Sequence, residues 1–127
     1  MSTSAIIAIH NEETNTYDMN YINYDGYIEG VGKTLIRHFD FPKLIKPLIH
    51  SNEIRSLGDS YEDTEFYPKN SPFFKKRKNL TFDELCNEAG NVNYTYIYTA
   101  NTWHLLRKNN TLEKYFTLSK ENKLLNN

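Results

Sequence analysis

One cysteine in 127 residues, Cys86, leaves no partner for an internal disulfide and no cluster of thiolate ligands for a metal, a usage that fits a reducing cytosol. The four histidines, His10, His38, His50 and His104, lack the paired spacing that would seat zinc on one helix or one hairpin. No apolar run approaches the roughly 20 residues that span a bilayer, so no membrane partner is expected. The stretch from Met1 to Ile9 has no basic residue ahead of its apolar part and predicts a strand rather than a secretion signal. The chain has no internal repeat and no Gly-x-Ser-x-Gly elbow, and Cys86 falls on the apolar side of a short helix, where a small buried thiol is the ordinary finding. Charge of one sign is also missing: fifteen Lys and Arg meet sixteen Asp and Glu, a net charge of -1 that excludes a uniformly basic nucleic-acid coat and an acidic mimic of DNA.

What is present is aromatic. Ten Tyr and seven Phe bring aromatic residues to 14% and hydrophobic residues to 39%, enough for a core despite a mean hydropathy of -0.70. At this length one domain is expected, over residues 1–120, with an Asn-rich tail fraying over 121–127. Ser4 to His10 carries apolar side chains at both parities, as a strand covered on both faces would. After turn chemistry at residues 12–15, Thr16 to Tyr24 alternates and completes a hairpin. Asp25-Gly26 ends it, with Gly26 expected at positive φ.

Val31, Leu35 and Phe39 recur at a spacing of four and predict a helix from about Gly30 to Phe39. A second helical stretch follows Pro42, with Leu44, Ile45, Leu48 and Ile49 as its buried stripe, in one piece or two depending on Pro47. From Gly58 to Asn79 the periodicity vanishes and a long loop is expected. Thr81 and Glu84 form a Thr-x-x-Glu capping box for a helix that closes at Gly90. A second hairpin joins Tyr94–Thr99 to Thr102–Arg107 through Ala100-Asn101, and Thr111 onward suits a last strand or a short helix. The fold class expected is α+β: a single domain with an antiparallel sheet of about four strands, built from two hairpins, and two to four helices on one face.

Gly32-Lys33-Thr34 reproduces the end of a Walker A motif, but Tyr27 stands where the first glycine belongs, and no parallel βαβ continuation is expected downstream. The weaker expectation is a bend in which Gly30, Gly32, Lys33 and Thr34 offer amides and an ammonium group to an anion. The competing reading is that the two glycines only let strand and helix approach. Tyr24, Asp25 and Tyr27 beside them could hold a ligand, or form an ordinary turn and core lid. Lys75, Lys76, Arg77 and Lys78, with Lys69 nearby and Phe73-Phe74 interleaved, have the composition that single-stranded nucleic acid or nucleotides use, and equally that of a solvated basic loop. Residues 1–41 hold two basic and six acidic side chains and residues 42–79 eight and five, so the charge is polarised along the chain.

The segment Tyr24-Asp-Gly-Tyr-Ile-Glu-Gly-Val-Gly-Lys-Thr-Leu35, with Ser4 to Ile9 before it and Arg55-Ser-Leu-Gly58 after it, resembles a group of small, mostly uncharacterised bacteriophage proteins. The likeness covers about residues 2–58, and extends loosely over 80–107. It departs where that group carries His-Trp ahead of Asp-Gly-Tyr and a proline after it, since Asn23-Tyr24 and Ile28 stand here. The resemblance implies phage origin and action in the cytoplasm of an infected bacterium, and hands over no catalytic residues.

The first expectation of function is therefore a non-enzymatic phage accessory protein that binds and inhibits a bacterial host or defence factor, through the Tyr27–Lys33 turn, the basic loop and exposed tyrosines; the Tyr94, Tyr96, Tyr98 stripe is most simply sheet packing, although its hydroxyl ends could also furnish an aromatic, protein-binding face. The alternative is a protein that sequesters a nucleotide messenger at Gly30-Val-Gly-Lys33. A homodimer formed by strand edges is a further possibility, no cofactor is expected, and Asp25 with His38 is the one acid–base pair an enzymatic reading could use.

Overall fold

The computed structural model describes residues 3–72 and 76–113. The tail at 121–127, the preceding segment from 114, and Phe73, Phe74 and Lys75 lie outside the described residues.

The chain builds one seven-stranded sheet around its most apolar segment. Strand β1 (Ala5–Asn11) pairs antiparallel with β2 (Thr16–Ile22), in register from Ala5 opposite Ile22 to Asn11 opposite Thr16. A π-helical turn at Ile28–Gly32 runs into α1 (Lys33–His38), and α2 (Pro42–Ile49) follows. Then come β3 (Ile54–Ser56), β4 (Glu65–Phe66), α3 (Phe82–Ala89), β5 (Tyr94–Thr99), β6 (Thr102–Leu106) and β7 (Leu112–Glu113). The order across the sheet is β4-β3-β2-β1-β5-β6-β7.

The α+β class and both hairpins match the sequence reading, while three of its features need correction. The sheet is mixed rather than antiparallel, because β1 runs parallel to β5 and β2 runs parallel to β3. It has seven strands rather than four, since β3, β4 and β7 are two or three residues long and leave no periodicity in the sequence. Helices cover both faces rather than one. On the first face Ile7, Tyr96 and Trp103 meet Leu35 of α1 and Leu48 of α2; on the other Ile6, Ala8, Met19 and Ile97 meet Leu85 of α3. Both parities of β1 are therefore buried, as its Ile-rich run predicts. Each fully buried large side chain contributes about 1.5–3 kcal/mol of transfer free energy.

The parallel pairing of β2 with β3 also overturns the expectation that no βαβ unit follows the first hairpin. The π-helical turn, α1 and α2 together form the crossover between those two strands. Helix α2 is one piece: Pro42 opens it in the first turn, and Pro47 is carried within it on the exposed side. Leu44, assigned to its buried stripe, faces solvent instead; Ile45, Leu48 and Ile49 suffice to cover the sheet. The expected loop at 58–79 contains β4, and the chain from Arg77 to Leu80, where it ends, runs along β2, with Tyr17 and Leu80 exchanging backbone hydrogen bonds.

Candidate functional site

The Asp-Gly-Tyr turn is fixed from both sides. Asp25, not Gly26, takes the left-handed conformation, at φ 59°. Gly26 is required for a different reason: a Cβ there would lie 2.7 Å from the Ser4 carbonyl carbon, because the turn passes directly over the start of β1. Its amide donates to Thr3 O at 2.8 Å, and its carbonyl accepts the Tyr96 hydroxyl at 2.8 Å.

The bend that follows consumes its own amides. Val31 N donates to Asp25 O at 2.9 Å, Gly30 N to Tyr27 O at 3.0 Å and Gly32 N to the same carbonyl at 3.4 Å. Lys33 N turns back to the carbonyls of Gly30 and Ile28. Val31 and Gly32 are buried, Lys33 and Thr34 half-buried. The expectation that Gly30, Gly32 and Lys33 present amides to an anion is thus corrected, since the π-helical geometry closes those donors onto carbonyls of residues 27–30, while Thr34 is half-buried at the start of α1. In the preceding turn Tyr24, Asp25 and Tyr27 are exposed, with the Arg55 guanidinium 5.9 Å from the centre of the Tyr24 ring.

The tyrosine stripe on β5 is packing rather than an outward face. Tyr96 and Tyr98 are buried, Tyr98 donates its hydroxyl to Asp40 O at 3.0 Å, and Trp103 donates its indole N–H to Phe39 O at 2.8 Å. These polar tips secure the carbonyls at the end of α1, where helical bonding has run out. Asp25 and His38 do not form a pair: the Asp25 carboxylate accepts the Tyr27 hydroxyl at 3.5 Å, while His38 lies 3.7 Å from Asp59.

The basic cluster is divided among separate tasks. Lys76 reaches both carboxylate oxygens of Glu84 at 2.9–3.0 Å, and Lys78 is exposed. Arg77 turns inward, donating to the Asn20 side-chain oxygen and, at 2.8 Å, to Ser51 O. Burial lowers its pKa, opposed by the charge of Glu53. Asn20, wholly buried, donates in turn to Leu48 O and Asn52 O at 2.8 and 2.9 Å. The guanidinium therefore links β2 to the segment leaving α2, a structural duty that the run Lys75–Lys78 did not reveal.

Two features escaped the sequence reading. The first is Glu53, only 3% exposed, just ahead of β3. Residues 67–71 clasp it: Tyr67 N donates to its carbonyl, its amide donates to Asn70 Oδ1, and Ser71 N donates to its Oε2 at 2.9 Å. Burial pushes its carboxyl above the usual range, countered by the Ser71 amide and the charge of Arg77. It faces a cavity of about 260 Å³ walled by Tyr21 and Tyr67, with Asn23, Lys69 and Asn70 around it. The second feature is apolar. Phe41, Leu44 and Tyr61 are 61%, 43% and 42% exposed, and Leu44 and Tyr61 line a mostly apolar cavity of about 290 Å³ with Pro47, His38 and Asp59. A lone Glu between Asn52 and Ile54 has no pattern to mark it, whereas Leu44 at the edge of a helical stripe was a visible signal read as core.

Among the described residues no group of three His, Cys, Asp or Glu side chains could hold a metal ion, and no helix is long and apolar enough to cross a membrane. Comparison with protein-family models, with curated proteins and with solved structures finds no match.

Proposed function

We propose that this chain is a phage accessory protein that works by contact, docking a bacterial host or defence protein on the surface where α1 and α2 meet residues 59–62, without chemistry of its own. The observation that carries this reading is the exposed pair Leu44 and Tyr61 lining a mostly apolar cavity, with Phe41 exposed at the start of α2. Large apolar side chains grouped on a surface and rimmed by charge, here Lys43 and Glu62, are the composition of an interface core with a polar edge. Phage origin and a bacterial partner come from the sequence resemblance over residues 2–58, which includes most of this surface.

The test is capture from phage-infected bacterial lysate with tagged wild type and Leu44→Glu. Leu44 is exposed, so the variant keeps its thermal midpoint. A specific host protein retained by wild type and lost by the variant supports the reading. Equal retention by both, or no specific protein with wild type, overturns it.

A further inference from the structure

The apolar cavity beside α2 is a groove whose two walls are tied together. Helix α2 supplies Lys43, Leu44 and Pro47, and the following loop supplies Asp59, Tyr61 and Glu62. Ser51 Oγ donates to Pro47 O at 2.6 Å, so the Tyr61 hydroxyl, 3.2 Å from Ser51 Oγ, is the donor of that pair. The Phe66 ring, centred 5.2 Å from that of Tyr61, packs against it as well. Tyr61 is thus held in place while 42% exposed, and an apolar side chain already fixed loses little freedom when it is covered. Charge on the groove is divided by wall. Lys43 stands on the helix next to Leu44, and Glu62 stands on the loop next to Tyr61; both are exposed, and among the described residues neither has a salt-bridge partner. Asp59, on the same wall as Glu62, has His38 at 3.7 Å.

A partner of a single charge, such as a nucleic acid or an acidic peptide, is attracted by one wall and repelled by the other. An apolar centre with opposite charges on its two sides is, in contrast, complementary to itself under a twofold rotation, which sets each cation against the carboxylate of the other copy. From this charge arrangement we infer that the α2 groove is a face on which two copies of this chain associate. Leu44 and Tyr61 then cover the same residues of the second copy, and Lys43 of each copy reaches Glu62 of the other. With only a few apolar side chains at its centre, the contact belongs to the weak, reversible class of interface, and its rim pairs fix the register more than they add affinity. It uses a helix face, not the strand edges considered from sequence. The inference rests on the rim charges and not on phage origin or a host partner, although a host protein seated here would have to displace the second copy.

Sedimentation equilibrium on the purified full chain, over a concentration series up to about 1 mM, tests this. Wild type is expected to pass from monomer to dimer without larger species, because a twofold contact closes on itself. Leu44→Glu should abolish the dimer within this range. Lys43→Glu and Glu62→Lys should each weaken it by about fivefold or more, since each sets like charges opposite one another at both seams. Mixing those two variants should restore association, as one copy then carries carboxylates at both positions and the other carries ammonium groups at both. All three positions are exposed, so thermal midpoints close to that of wild type separate lost association from lost fold. A wild type that stays monomeric, growth beyond the dimer, a dimer untouched by Leu44→Glu, or a mixture no tighter than either single variant would each overturn the inference. Failed capture from lysate leaves this result untouched, and a monomeric wild type leaves the capture untouched, so the two readings fail separately.

Discussion

Gly26 shows how one residue can be required for a reason other than the one its identity suggests. Its φ is ordinary, and the left-handed position is borne by Asp25, a residue type that tolerates that region through its short polar side chain. What demands glycine is the 2.7 Å from an added Cβ to the backbone of Ser4, which cannot move without disturbing β1. Gly26→Ala is therefore expected to cost about 1–3 kcal/mol, the usual range for overpacking, measured as a drop in the urea midpoint at unchanged slope. An unchanged midpoint would mean that the turn can lift away from the sheet. Gly90 offers the same lesson: it stands just past α3 in a right-handed conformation, so the capping glycine expected from sequence is not in the left-handed state.

Among the elements, α3 is the one whose local sequence says most about itself. Thr81 Oγ1 accepts from Glu84 N at 3.1 Å, and Glu84 Oε1 accepts from Thr81 N at 2.9 Å, so both bonds of the capping box are present. The Thr81 amide, and after it Lys76, hold the Glu84 carboxyl below its usual range. Thr81→Ala should cost about 1 kcal/mol, seen as a thermal midpoint lower by about 4 °C for a domain of this size. A shift under about 1 °C would show that packing of Leu85 alone sustains the helix. By contrast, the turn into α1 has no side-chain cap at either of its two starts. Its backbone bonds to Asp25 and Tyr27 replace one, which is why a simple spacing of four between Val31, Leu35 and Phe39 predicted a continuous helix. The tighter spacing of a capping box can be read from four residues; a π-helical turn depends on what the preceding loop offers.

For the molecule as a whole, the buried Glu53 carboxyl, with the half-buried Arg77 charge nearby, makes stability depend on pH. Burial, the largest cause, raises the Glu53 carboxyl above its ordinary value, with Arg77, Lys69, Tyr21 and Tyr67 the other titratable groups around it. An acid whose folded pKa is raised favours folding fully below its unfolded pKa, and that contribution is lost as pH rises through the folded value. Glu53→Gln, which imitates the protonated form, should therefore melt higher than wild type at pH 8, with the gap narrowing as the pH falls toward 4.5. A gap independent of pH would show that the carboxylate is stabilised in place by Arg77 and the Ser71 amide as well as it is by water.

The sequence by itself determined the central hairpin, the capped helix, the aromatic hairpin and the Ile-rich strand buried on both sides, because each rests on contacts between residues near one another in the chain or on an unbroken apolar pattern. It also marked Arg77 as basic and Leu44 as apolar, without saying which way either would face. Only the tertiary structure decided that β1 lies parallel to β5, that helices cover both faces, and that Arg77 reaches Asn20 from 57 positions away. The same holds for the cleft at Glu53, where residues 21–23, 53 and 67–71 converge. Such placements arise when separate segments compete to cover one sheet, and a segment's own composition does not record which neighbour it will meet.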